Sequence, residues 1–205
     1  MAIPPDDQAE WPQTKQAFMA QTRRGFLRNT GIGLLTFYVS GCDVEMTPQE
    51  ARERKIAYGV LTSTEVSTLD ALGEILLPGS AEAGLSHFID HQLGAAPGEQ
   101  LLMIRYLGVP APFAPFYQGG LAALNAYSMA HASRPFAELD HAIRTELVEQ
   151  LTQGNPDGWQ GPPGPFFYFV LRNDAVDVVY GTKEGVESLG IPYMAHIEPP
   201  SRWGE

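Results

Sequence analysis

Proline and glycine set the outer limits of what this chain can fold into. Leu77-Pro78-Gly79-Ser80, the run GVPAPFAPF at residues 108–116 and the run GNPDGWQGPPGP at residues 154–165 cut the sequence into short apolar segments. Proline inside a helix removes a backbone donor and clashes with the preceding turn, so helices must stop at these points. Between them, apolar residues recur at helical spacing. Thr62-Ser63-Thr64-Glu65 is a capping box, in which hydroxyl and carboxylate satisfy two orphan amides reciprocally. Val66, Leu69, Leu72, Ile75 and Leu76 follow it on one face. Further helices are expected from Leu85 to Leu93, over residues 99–107, and from Tyr117 to Ala132. Another starts at Pro135 and carries Phe136, Leu139, Ile143, Leu147 and Leu151. The last apolar run, FFYFVLRNDAVDVVYG, is rich in aromatic and β-branched residues, but its length favours helix over strand. Residues 43–60 are charged and poor in apolar groups, which predicts a tether, and residues 181–205 predict an irregular tail.

At 205 residues and 44% hydrophobic content, the chain can bury one core of ordinary size. Its formal charge is -11. The basic residues Lys15, Arg23, Arg24 and Arg28 are concentrated at the front, so the remainder is acidic throughout. Such a body has no electrostatic reason to approach nucleic acid, whose binding depends on neutralising phosphates. The single cysteine allows no internal disulfide. It also excludes a covalently attached c-type haem or an iron–sulfur cluster, which need more than one thiol. No cofactor is expected in this chain.

Residues 22–42, TRRGFLRNTGIGLLTFYVSGC, place two adjacent arginines before a short apolar run. The run is about half of the roughly 20 residues that a transmembrane helix needs. Gly25, Gly31 and Gly33 weigh against a core helix, since each costs about 1 kcal/mol there. A basic segment, an apolar segment and a small-residue processing site are instead the parts of an export signal. Arg23, Arg24, Phe26 and Leu27 match a twin-arginine signal, the type that exports folded proteins. Val39-Ser40-Gly41-Cys42 resembles a lipobox, in which Cys42 would be acylated and become the new N-terminus. The alternative is a plain Ser-Gly processing site with an incidental cysteine. The expected fold is therefore mainly α: a twin-arginine signal segment at 1–42, a tether at 43–60, and a single compact helical domain at 61–205 with a long irregular C-terminal tail.

Convergent chemistry is sparse. His87 and His91 stand four apart beside Asp90 and could share a helix face, the arrangement of a zinc pair. No third ligand is indicated, and a solvated helix face explains the same spacing. Asp174 and Asp177 could be imagined as acid and base, but spacing alone does not establish this. Neither a nucleophile elbow nor a phosphate loop is present, and no catalytic residue is assigned. Phe166, Phe167, Tyr168 and Phe169 cannot all face one side of a helix, so the element is either buried all round or presents an aromatic to a partner.

These features occur in a recognisable order. The twin-arginine signal is followed by LTSTEVSTLDALGEILLPGS, then a Phe-x-x-Leu helix with Arg144, then Phe166-Phe167-x-x-Val170-x-Arg172. Tyr180-Gly181 and Leu189-Gly190-Ile191-Pro192 complete it. The chain resembles the gluconate 2-dehydrogenase subunit 3 family over roughly residues 22–195. That resemblance implies a mainly helical, non-catalytic small subunit of a dehydrogenase acting on sugars, polyols or other alcohols. FAD would be held by a glucose–methanol–choline type catalytic partner, which the small subunit matures and escorts through twin-arginine export. A cytochrome c subunit is a further candidate partner. The expected location is the periplasm, attached to the cytoplasmic membrane through a lipid anchor or a third subunit. Phe166, Phe167, Phe169, Arg172, Tyr180, Tyr193 and Trp203 are the expected partner interface. The competing readings are an independent exported lipoprotein with a binding role, and a metalloenzyme using His87 and His91.

Overall fold

The segments left whole by proline and glycine fold into helices, and side-chain caps mark where some of them begin. The computed structural model describes residues 35–39 and 42–190. In chain order these form strands β1 (Leu35–Val39) and β2 (Cys42–Met46) and helices α1 (Pro48–Glu53), α2 (Ser63–Leu76) and α3 (Leu85–Gly94). A 3-10 segment (Met103–Leu107), α4 (Ala114–Ala132), a 3-10 turn (Phe136–Glu138), α5 (His141–Gln153), α6 (Gly164–Tyr180) and α7 (Lys183–Ser188) complete them. The fold is mainly α. The Thr62–Glu65 box caps α2 as its sequence requires, with both reciprocal hydrogen bonds formed.

Residues 43–60 are not a tether. Thr47 and Glu50 form a second capping box with Pro48 in the first turn, the position where proline costs nothing. Met46 and Ala51 carry this segment into the core. β2 pairs antiparallel with β1, whose residues fall inside the run read as the apolar part of an export signal. The arginines Arg23 and Arg24, with Phe26 and Leu27, lie outside the described residues, as do Tyr193 and Trp203 of the tail.

Other boundaries moved for local reasons. Residues 99–107 hold only the 3-10 segment, because Asp174 on α6 takes the Met103 amide at 2.8 Å and Gln92 takes the Leu101 amide at 2.7 Å. The helix expected from Tyr117 begins at Ala114, with Pro115 accommodated in its first turn. The helix expected from Pro135 is broken by extended backbone at Leu139, after which α5 starts at His141. The tail is not wholly irregular, since the Thr182 hydroxyl caps α7.

At the centre, α2 packs against α3, α4, α5 and α6, while α6 also meets the 3-10 segment and α7. Leu69, Leu85, Ile89, Tyr117, Leu121, Phe136, Leu147 and Phe167 are fully buried between them. A Cβ at Gly120 would overlap the Phe167 ring, so α4 and α6 meet at a glycine–aromatic contact.

Candidate partner interface

Helix α6 separates its side chains into two faces. Gly164, Phe167, Val170, Leu171, Asp174, Ala175 and Val178 are buried. Pro165, Phe169 and Arg172 are exposed on the opposite stripe, continued by half-buried Val176 and Tyr180 at helical spacing. The aromatic run is thereby divided among different tasks. Phe167 is 0% exposed, its ring centroid 5.8 Å from Phe116 and 6.2 Å from Trp159, so it is a core residue and not an interface residue. Phe166 is half-buried with its ring edge-on to Phe116. Phe169 is 46% exposed, an aromatic displayed on a rigid helix.

A second outward group was not anticipated from the sequence. On the 3-10 segment and just before it, Tyr106 is 63% and Leu101 51% exposed, with Leu107 also exposed. Leu102 and Ile104, fully buried, plug the same segment into the core. The Arg105 guanidinium donates to the Gln100 carbonyl at 2.6 Å and lies over the Tyr106 ring. The sequence did hold a clue: LLMIRYL has more apolar residues than a short surface segment can bury.

Asp174 joins this segment to the helices. Its Oδ2 accepts from the Tyr117 hydroxyl at 2.6 Å while Oδ1 accepts the Met103 amide. Burial pushes its carboxyl up to about 7, partly opposed by these two hydrogen bonds. Burial, with the charge of Asp174 beside it, likewise drives the Tyr117 phenol far above its ordinary range. Asp177 lies at the surface one turn later, so the imagined acid–base pair is split between interior and exterior.

The histidines do not converge. Ile56 offers a carbonyl to His87 Nε2 at 3.1 Å, so that nitrogen carries the proton. Nδ1 then accepts from the Tyr58 hydroxyl at 3.1 Å, and both ring nitrogens are engaged. His91 turns instead towards β1, donating from Nε2 to the Thr36 carbonyl at 2.9 Å. Asp90 between them accepts the backbone amides of Gly59, Val60 and Leu61 at 2.7–2.8 Å, clamping the approach to α2. Among the described residues no group of three metal-ligating side chains comes together.

A cleft of about 620 Å³ lies above His87, lined by Arg52, Glu53, Lys55, Tyr58 and Glu82 among others. Burial raises the Tyr58 phenol to about 12 and lowers His87, and Arg52 is held by Asp70 at 2.8 Å. Tyr58, His87 and Arg52 are thus engaged within the fold, and cations and acids mix among the lining residues. Cys42 is an exposed free thiol at the start of β2. Among the described residues no helix is long and apolar enough to cross a membrane.

No curated protein and no solved structure matches the chain. Residues 63–196 match the family described as gluconate 2-dehydrogenase subunit 3, a span that opens on the first residue of α2 and covers more than half of the chain. By that description its members are subunits of an oxidoreductase complex, and this chain belongs to the gluconate 2-dehydrogenase subunit 3 family.

Proposed function

We propose that this chain is a non-catalytic small subunit that binds, matures and escorts the FAD-containing catalytic subunit of a sugar or alcohol dehydrogenase. The partner is of the glucose–methanol–choline type and holds the flavin. Export by the twin-arginine route, directed by Arg23 and Arg24, places the complex in the periplasm at the cytoplasmic membrane. A cytochrome c subunit is a further candidate partner there.

One observation carries the docking part of this reading: the outward face of α6 around Phe169 and Arg172, with Tyr106 and Leu107 displayed on a segment pinned to the same helix. Aromatic side chains held rigid lose little freedom on association, and such anchors dominate interface energies. In a member of a family of complex subunits, that face is suited to another subunit. Phe169→Asp combined with Tyr106→Asp should abolish co-purification of the catalytic subunit while circular dichroism and thermal unfolding stay unchanged. Undiminished capture of the partner by the folded double variant would place docking elsewhere.

A further inference from the structure

Strand β1 is built from residues that the sequence assigns to the apolar part of an export signal. Recognition of such a segment asks for apolar content over a few residues, not for alternation. The observed strand alternates. Leu35 and Phe37 are each 8% exposed and belong to the core, while Thr36 between them is exposed. That is the period of a strand with one buried face. Every residue of β1 pairs with β2, from Leu35 opposite Met46 to Val39 opposite Cys42.

Helix α3 grips the strand from the domain side. His91 donates its Nε2 proton to the Thr36 carbonyl at 2.9 Å, and its ring lies 5.0 Å from that of Phe37. A removable segment has no use for a dedicated clasp on the mature domain. Its loss would bare the surface under Leu35 and Phe37 and leave β2 an unpaired strand, which folded proteins avoid.

We propose that Leu35–Val39 is retained in the mature protein as a structural strand, so that the chain is not severed between β1 and Cys42. Cys42 is then an internal thiol and not an acylated N-terminus, and membrane attachment falls to another subunit. The inference stands whether or not the chain escorts a flavoprotein. Intact-mass and N-terminal analysis of the subunit, purified with its native complex from the cell envelope, reads it directly. The expected chain begins upstream of Leu35. A mature chain beginning at Cys42, or anywhere after Val39, would overturn the proposal. Thermal unfolding of the same protein supplies a second reading. Phe37→Ala should lower Tm by about 5 °C or more, whereas the outward Thr36→Ser should shift it by less than about 2 °C. Equal, negligible shifts for both variants would show that β1 contributes nothing to the fold.

Discussion

Aspartate does much of the work of fixing loops to helices in this molecule. Asp70 holds Arg52 and Ser86, Asp90 holds three consecutive amides, and Asp174 holds Met103 and Tyr117. The first two are compensated by a guanidinium or by several amides, but Asp174 is fully buried, and among the described residues its partners are the Met103 amide and the Tyr117 hydroxyl. Its carboxyl therefore binds a proton more tightly when folded, at about 7, than in the unfolded chain at 3.8. Between those values the folded state carries the extra proton. Stability from this group is complete below the lower value and lost as pH rises through the upper one. Thermal melts at about pH 5 and about pH 8 should show the protein less stable at the higher pH, and Asp174→Asn should flatten that difference. A slope unchanged in the variant would assign the pH dependence to other groups.

Element by element, α6 shows what sequence could and could not decide. Gly120 lets α4 approach until its backbone meets the Phe167 ring, so Gly120→Ala should cost about 1–3 kcal/mol by overpacking, read as a lower denaturation midpoint. Phe167→Ala should cost about 3–5 kcal/mol, while Phe169→Ala should change stability by no more than about 0.5 kcal/mol and weaken partner capture instead. Before the fold is known, these two phenylalanines look alike. Length pointed to α6 as a helix, and its run of four aromatics left open whether the element is buried all round or turns one of them outwards. The sequence could not say which, because the phase of a helix is fixed by its neighbours, here by the glycine on α4. Capping residues were the most readable feature, as Thr62 with Glu65 shows. The same pattern at Thr47 and Glu50 was present but hidden under the charged composition of its segment. β1 was hidden differently, since an apolar run after paired arginines satisfies the rules for an address label as well as those for a strand. Tyr106 and Leu107 were missed because a 3-10 segment has no long period to betray it, and Asp174, which pins it, lies far away in sequence.

For the molecule as a whole, the helical domain and the basic leader have opposite characters. The domain is acidic and packs its helices around α2 and α6, and the leader concentrates positive charge at Arg23, Arg24 and Arg28. In the proposed escort role, the flavin enzyme receives its cofactor in the cytoplasm and leaves by a route that accepts folded cargo, the kind of route that paired arginines would specify. If the catalytic subunit has no address of its own, it has to bind this chain before transport, through a face already formed. The rigid anchoring of Phe169 and Tyr106 suits that order of events. Arg23→Lys with Arg24→Lys keeps both charges and removes only the planar guanidinium fork, a change that matters at a recognition site. Cells carrying the double substitution should accumulate assembled, flavin-loaded, active complex in the cytoplasm, while periplasmic dehydrogenase activity disappears. Should the catalytic subunit still reach the periplasm with this chain left behind, it travels by its own means, and the proposed escort role fails.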